Sequence, residues 1–154
     1  MSHCYTQLNL QIVFAVKYRA SLIADSFKHE LYRYMAANIN NRSHHCMVIN
    51  GMPDHIHIFL RMHPSESLSS LMQIIKGSSS RWINAKYYPQ QTFKWQDGYS
   101  AFSYSQSQVP IVIRYIQNQE KHHQKQPFLD EYKTILNKFN IPYDPENTFQ
   151  APQG

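Results

Sequence analysis

The feature that most constrains the fold of this chain is the order of its apolar patterns, which alternate between a period of two and a period of about 3.6 residues. Over residues 6–16 apolar side chains recur at every second position, which predicts a strand with one buried face. Beyond Asp25, a residue suited to cap a helix, helical spacing predicts an amphipathic helix that ends near Asn40. The patterned positions are Leu8, Leu10, Ile12 and Phe14 in the strand and Phe27, Leu31, Tyr34, Met35 and Asn38 in the helix.

The same alternation continues through the rest of the chain. Residues 45–50 and 55–62 predict a hairpin around the turn formers of residues 50–54, and residues 67–86 predict a second helix. Short strands are predicted over 92–95 and 99–104, followed by helices over 110–123 and 129–139. The order strand-helix-strand-strand-helix-strand predicts an α+β fold, a ferredoxin-like antiparallel sheet with helices on one face, as in RNA-recognition domains.

Composition limits the class of protein. A chain of 154 residues with 42% apolar and 16% charged residues suits one globular domain, and its net charge of +5 favours polyanionic partners without requiring them. Cys4 and Cys46 are too few for a secreted disulfide framework and match no metal-ligand spacing. The chain has no apolar run near the roughly 18 residues of a membrane span and begins unlike a signal peptide, so we expect a cytoplasmic protein without a membrane partner.

The first chemical signal is a pair of histidines in a predicted strand. His55 and His57 flank Ile56, so both imidazoles should emerge, exposed, on one face while Ile56 enters the core. Two imidazoles on one face can chelate a metal ion, but nine histidines would yield about half of one such pair by chance, which leaves a solvated strand face as the alternative. The adjacent pairs His44-His45 and His122-His123 cannot share a face, and we interpret them as solvated or phosphate-contacting residues.

The second signal is Tyr115 with Gln119, which lie one helical turn apart on the flank of an apolar stripe. Such a tyrosine commonly does no more than pack at the edge of the core, and the chain contains eleven tyrosines. A nearby divalent cation could stabilise its phenolate, and an amide oxygen from Gln119 could complete a site with two histidines. Ligation by imidazole and oxygen without thiolate suits Mg²⁺ or Mn²⁺, although Zn²⁺ could occupy the same site. The sequence offers no obvious general base for the phenolic proton.

The third signal is an aromatic and polar run over residues 93–105, which contains Lys94, Trp95 and Tyr99. Exposed rings beside a lysine could stack single-stranded bases, whereas burial would make the same rings strand core. Lys76 and Arg81 on the second predicted helix could bind phosphate. A solvated helix face explains these two cations equally well.

Three stretches, taken together and in this order, resemble the single-tyrosine transposases of bacterial insertion sequences. That family lies within the superfamily of endonucleases with a histidine-hydrophobic-histidine (HUH) motif. The stretches are Met-Pro-Asp-His-Ile-His-Ile-Phe at residues 52–59, Trp-Gln-Asp-Gly-Tyr-Ser-Ala-Phe-Ser at residues 95–103, and Tyr115 through Asn118-Gln119 to His122-His123. The resemblance spans residues 5–132 and is far more specific than a His-x-His pair alone.

The resemblance implies a role for each matched residue. His55 and His57 would bind a divalent metal, Gln119 would supply a third ligand, and Tyr115 would be the nucleophile. Tyr115 would cleave single-stranded DNA through a 5′-phosphotyrosine intermediate, which a second 3′-hydroxyl could attack to form a new junction. Many nucleases of the superfamily use a third histidine where this chain has Gln119, a departure that bears on metal preference.

The resemblance also implies an organisation and a set of partners. Residues 1–126 would form a transposase domain with the HUH endonuclease fold, and residues 127–154 would add a C-terminal helix and tail to the same domain. The DNA partners would be single strands and hairpins at the ends of the mobile element. The family implies a homodimer in which the tyrosine helix of one subunit can serve the histidines of the other.

Two rival functions fit parts of the same pattern. A non-catalytic module that binds single-stranded nucleic acid on a ferredoxin-like sheet would use Trp95, Tyr99 and Phe102 for base stacking and would need neither metal nor Tyr115. A relative that serves plasmid replication or transfer would share the chemistry but act on different DNA.

Overall fold

The computed structural model describes residues 4–121 and 127–143 and contains a four-stranded antiparallel sheet. The strands are β1 (Leu8–Ala15), β2 (His45–Met52), β3 (His55–Met62) and β4 (Ser100–Tyr104), in the spatial order β2-β3-β1-β4. The longer helices are α1 (Lys28–Asn41), α2 (Leu68–Tyr87), α3 (Val109–Gln117) and α4 (Phe128–Lys138). This order of strands, with one helix after β1 and one after β3, confirms the predicted ferredoxin-like fold.

Helices lie against both faces of the sheet. Helices α1 and α2 follow β1 and β3 and pack on the face of the sheet that was predicted to be buried. The apolar core between them includes Ile12, Phe14, Ile56 and Ile58. Helices α3 and α4 cover the opposite face, where Val13 and Phe102 contact the Phe128 cluster and Phe59 contacts the apolar stripe of α3. Strand β1 is consequently buried on both faces, so the expectation that it has only one buried face was wrong.

Burial of the second face encloses polar side chains of the central strands. Asn9 and Gln11 of β1 are each 1% exposed, and both are hydrogen-bonded. Burial of polar groups costs stability unless they are hydrogen-bonded. Polar side chains enclosed beneath α3 and α4 therefore indicate that this face of the sheet contains a functional site.

Local chemistry accounts for several helix and strand boundaries. Ser67 caps α2 by accepting a hydrogen bond from the backbone N–H of Ser70 at 3.1 Å, as expected for serine at this position. Asp25 does not cap α1, because its carboxylate pairs with Lys28 at 3.2 Å and the N-cap residue is Phe27.

Two predicted elements differ from the structure. The predicted strand over 92–95 is reduced to a single bridge between Trp95 and Val16. The Asn84 side chain bonds both backbone groups of Phe93, which removes them from any strand ladder. The third helix is not continuous, because α3 ends at Gln117, the backbone at Asn118 leaves helical geometry, and helical structure resumes at Gln119. His122 and His123 lie outside the described residues.

Within the part of the chain that the structure describes, no helix combines the length and apolar character needed to cross a bilayer.

Candidate active site

Strand β3 carries the two histidines on the face covered by α3 and α4. Its alternation directs Ile56 and Ile58 into the core beneath α1 and α2 and turns both imidazoles to the other side, as predicted. The prediction that the rings are exposed was wrong, since His55 and His57 are both 0% exposed. Helix α4 is the reason: the Phe128 ring stacks on the His55 ring with centroids 4.0 Å apart.

Helix α3 and the residues that follow it bring Tyr115 and Gln119 to the same place. Asn50 of β2 donates hydrogen bonds to the carbonyls of Ile116 and Gln117 at 2.9 and 3.1 Å, which anchors the end of α3 to the sheet. Beyond the break at Asn118, Gln119 is fully buried and its Oε1 lies 3.3 Å from Nε2 of His55.

The tyrosine lies beside the second histidine of the pair. The ring of Tyr115 is 6.0 Å from that of His57, centroid to centroid. A single chain therefore gathers all four predicted site residues, with the tyrosine helix packed on its own sheet.

Glu131 of α4 is a site residue that the sequence analysis missed. Its Oε1 lies 3.1 Å from Nε2 of His57 and 3.7 Å from Nε2 of His55. Its Oε2 accepts a hydrogen bond from the Tyr115 hydroxyl and lies 3.4 Å from Nε2 of Gln119. This one carboxylate, 2% exposed, therefore connects the imidazoles to the phenol.

The sequence did contain a signal for Glu131. Phe128, Glu131 and Ile135 recur at helical spacing and form the buried side of α4, so an acidic residue occupies a position in an apolar stripe. A buried carboxylate requires partners, and such a position predicts a specific polar contact beneath the helix.

The donor set at this point fits a divalent cation. Ligand atoms of His55, His57 and Glu131 lie within 4.8 Å of one another. Oδ1 of Asp54 accepts a hydrogen bond from Nδ1–H of His55 at 2.8 Å, so a neutral His55 turns the lone pair of Nε2 toward the amide oxygen of Gln119. Two acceptors that face each other are stabilised by a cation between them.

The surroundings of Tyr115 keep its hydroxyl protonated. Burial of the ring, reinforced by the negative charge of Glu131, raises its pKa well above the ordinary value for tyrosine. At neutral pH the phenol is therefore a hydrogen-bond donor to Glu131, and its use as a nucleophile requires a group that accepts the proton or a cation that stabilises the phenolate.

A cleft between α3 and α4 leads to the tyrosine. Its volume is about 240 Å³, and Tyr115 and Glu131 both contribute to its wall together with Gln11 and Tyr104 of the sheet. Ile111 of α3, which is 52% exposed, lies in the lining of the same cleft. The phenol is thus reached from this side of the site, whereas the imidazoles lie deeper beneath α4.

The residues predicted to bind DNA have different environments. Trp95 is only 7% exposed and donates its indole N–H to Ser79 at 2.9 Å, which leaves little ring surface for a base. The Lys76 ammonium donates to the carbonyls of Gln96 and Gly98 at 2.7 and 2.9 Å, and burial lowers its pKa. Lys76 therefore orders the backbone of a loop.

Other predicted polar contacts remain at the surface. Arg81 and Lys94 are exposed, and 37% of Tyr99 is accessible to solvent. His45 is also exposed, but the interpretation of His44 as a solvated or phosphate-contacting residue was wrong. His44 is buried, with Nε2 2.9 Å from Glu66 and Nδ1 accepting the backbone N–H of His63.

Comparison with known proteins identifies the family of this chain. The family model described as "Transposase IS200 like" matches residues 4–119. The transposase TnpA of ISDra2 from Deinococcus radiodurans is 27% identical over 123 residues, which represent 73% of this chain and 84% of that protein.

Two solved structures share the fold. A crystal structure assigned to a transposase of Deinococcus radiodurans R1 aligns with a TM-score of 0.61 at 21% identity, covering 77% of this chain and 96% of that one. A REP-associated tyrosine transposase bound to a REP hairpin aligns with a TM-score of 0.59 at 13% identity, covering 100% of this chain and 96% of that one.

The chain belongs to the family of IS200-like transposases. The predicted family, the ferredoxin-like fold and the function as a DNA transposase are thereby confirmed, and the protein is an enzyme of the tyrosine transposase class. The matched region ends at Gln119, so Glu131 and the rest of α4 lie beyond it.

Proposed function

We propose that this transposase cleaves and rejoins single-stranded DNA at the ends of an insertion sequence, with Tyr115 as the nucleophile and a 5′-phosphotyrosine intermediate. The observation that carries the proposal is the hydrogen bond from the Tyr115 hydroxyl to Glu131, beside the paired imidazoles of His55 and His57. Nucleophile, proton acceptor and candidate metal ligands are contributed by one chain within one buried cluster.

His55, His57, Glu131 and Gln119 would hold the divalent cation, which we propose to be Mg²⁺ or Mn²⁺. A cation bound there would polarise the scissile phosphate and offset the charge that develops on its oxygens. Oε1 of Glu131 faces the imidazoles and Oε2 faces the phenol, so ligation through one oxygen leaves the other in contact with Tyr115.

The residues of the chain account for the bonds that change. The Tyr115 oxygen forms a bond to phosphorus while its proton passes to Glu131, the group to which the hydroxyl already donates. The bond between phosphorus and the 3′ oxygen breaks, and that oxygen takes up a proton from solvent to leave as a 3′-hydroxyl. Attack on the phosphotyrosine by another 3′-hydroxyl restores the phenol and seals a new DNA junction, with no need for an external energy source.

Access to the site involves α4. A phosphate can approach Tyr115 through the cleft between α3 and α4. The imidazoles are fully buried beneath Phe128, so a phosphate that is to contact the metal position requires an outward adjustment of α4. We therefore propose that residues 127–154 belong to the same functional domain as residues 1–126.

The DNA is expected to contact the exposed cations and ring outside the buried cluster. We retain Arg81, Lys94 and Tyr99 as candidate contacts because they are solvent-accessible, whereas Lys76 and Trp95 act mainly within the protein. A hairpin is the proposed substrate because the REP-associated structural neighbour is bound to one. The homodimer is also a proposal, and α3 packed on its own sheet supports a site that is complete in each subunit.

The test is covalent capture of DNA. Labelled hairpin DNA with a single-stranded flank would be incubated with the protein and Mn²⁺, then separated under denaturing conditions. We expect an adduct that survives denaturant, disappears on proteolysis and is absent in Tyr115→Phe. Tyr132→Phe, which removes a half-buried hydroxyl that contacts Ser100 outside the cluster, is the matched control and should retain the adduct. DNA binding without any adduct would favour the non-catalytic nucleic-acid-binding module.

A further inference from the structure

We propose that Asp54 and Gln11 are positioning residues that determine which ring nitrogen of His55 and of His57 faces the metal position. The inference rests on the proposed function of this site. It concerns two side chains that lie behind the imidazoles and are not themselves among the proposed metal ligands. Each instead contacts the Nδ1 atom of one imidazole, on the side away from Glu131.

Asp54 fixes the first histidine. Its carboxylate can only accept a hydrogen bond, so the contact of 2.8 Å requires His55 to carry a proton on Nδ1. A neutral His55 then presents the lone pair of Nε2 to the cluster, as a metal ligand must. Histidines that bind a metal ion through one ring nitrogen commonly donate the N–H of the other ring nitrogen to a carboxylate.

The turn that carries Asp54 is itself held in place from outside the hairpin. The backbone carbonyl of Asp54 accepts the N–H of Val16 at 2.8 Å, and that of Pro53 accepts the N–H of Ile23 at 3.0 Å. These backbone hydrogen bonds fix the position of the turn, so the Asp54 carboxylate can orient the His55 ring.

Gln11 acts differently on the second histidine. Its Oε1 accepts the Tyr104 hydroxyl at 2.8 Å, which turns its Nε2 toward Nδ1 of His57 at 3.0 Å. His57 therefore accepts at Nδ1 and carries its proton on Nε2, which donates to Glu131 at 3.1 Å. In this arrangement Nε2 of His57 is hydrogen-bonded to Glu131 and has no lone pair to offer a cation.

An amide can serve both tautomers of the ring. If the Gln11 amide rotates by half a turn, its oxygen accepts from Nδ1–H of His57 and its NH₂ donates to Tyr104. Burial raises the pKa of Tyr104 to about 12, so the phenol stays protonated and can change from donor to acceptor. The His57 Nε2 lone pair then becomes available, with no net gain or loss of protons.

The two histidines are thus unequal. Asp54 keeps His55 permanently in the ligand tautomer, whereas Gln11 and Tyr104 allow His57 to change between a hydrogen bond to Glu131 and a bond to the metal. NMR of the full chain with ¹⁵N-labelled histidine would test this, with His55→Gln and His57→Gln used to assign the ring signals. Without metal we expect a proton on Nδ1 of His55 and on Nε2 of His57. On addition of Mg²⁺ we expect only His57 to change tautomer, with its proton moving from Nε2 to Nδ1.

Mn²⁺ affinity, measured by calorimetry, provides the second readout. Asp54→Ala and Gln11→Leu should each weaken Mn²⁺ binding by about 10- to 100-fold, the usual effect of removing such a partner. Asp54→Asn, which keeps an acceptor oxygen, should restore most of the affinity. Asp97→Ala and Gln108→Leu change exposed residues of the same types and are the matched controls. Thermal unfolding of each variant establishes that it is folded.

The outcomes separate this inference from the proposed function. If wild type binds Mn²⁺ but Asp54→Ala and Gln11→Leu bind it equally well, the positioning roles are overturned and the metal site stands. Identical tautomers for the two rings in the metal-free wild type would also overturn them. If the wild-type chain binds no Mn²⁺ although the two rings have opposite tautomers, the proposed metal site itself is contradicted.

Discussion

Replacement of Glu131 by glutamine isolates the contribution of a carboxylate that family resemblance did not reveal. The substitution preserves the shape of a side chain that is 2% exposed, but it removes the negative charge between His57 and Tyr115. An amide cannot take the phenolic proton, and it is a weaker ligand for a divalent cation. We therefore expect Glu131→Gln to form the DNA adduct more slowly than wild type.

The magnitude follows from the contacts that are lost. A positioned general base contributes about 10²- to 10⁴-fold, which corresponds to about 3–5 kcal/mol of activation free energy. Hydrogen bonds to a charged group contribute about 1.5–3 kcal/mol and neutral ones about 0.5–1.5 kcal/mol, so the free energy of unfolding should fall by only about 1–2 kcal/mol. A large kinetic loss with a small loss of stability is the expected signature.

The assay is single-turnover adduct formation on the hairpin substrate over a range of Mn²⁺ concentrations. A rate deficit that persists at saturating Mn²⁺ would support Glu131 as proton acceptor, and a shift in the Mn²⁺ midpoint would support it as ligand. Asp130→Asn changes the exposed neighbour on α4 and should leave the rate unchanged. A wild-type or faster rate in Glu131→Gln would refute the reasoning, and a faster one would identify Glu131 as a group that blocks the site.

Three further predictions use other contacts of the fold. Asn50→Ala removes two hydrogen bonds to the end of α3, so urea denaturation should show a loss of about 1–3 kcal/mol and adduct formation should slow as Tyr115 loses its support. His57→Ala removes a buried, hydrogen-bonded ring and should lower the free energy of unfolding by about 2–4 kcal/mol, whereas an exposed ring would have cost almost nothing. Hydrogen bonds, above all from Arg42, lower the pKa of Glu66 from 4.5 to about 2. The contribution of the Glu66 carboxylate to the free energy of unfolding is therefore complete above pH 4.5 and is lost as the pH falls toward 2. Glu66→Gln should therefore lose less free energy of unfolding between pH 5 and pH 3 than wild type. An equal loss in both proteins, measured by urea denaturation at each pH, would contradict this assignment.

Much of the fold could be predicted because it depends on local periodicity. The period of two in β1 and β3 and the helical spacing of α1 and α2 fix the order of elements, and that order determines the sheet. The alternation around Ile56 also placed His55 and His57 on one face, which the structure confirms. The spacing of Tyr115 and Gln119 predicted one continuous helix, which was wrong because α3 ends at Gln117. The two side chains nevertheless both reach Glu131.

What the sequence could not give depends on packing between distant segments. The exposure of His55 and His57 was predicted wrongly because the strand pattern does not reveal that α4, some 70 residues further along the chain, covers the second face of the sheet. The helical spacing of α4 does indicate that Glu131 is buried, but it does not reveal which polar groups lie beneath the helix. The contacts of Glu131 with His57 and Tyr115 depend on packing between distant segments.

The most direct test of the account is to locate the covalent bond to DNA. Adduct formed by the wild-type protein would be digested with nuclease and protease, and the modified peptide sequenced by mass spectrometry. We expect a nucleotide attached through a 5′ phosphate to the oxygen of Tyr115. Attachment to another side chain, such as the neighbouring Tyr104, would contradict it and would reassign the nucleophile.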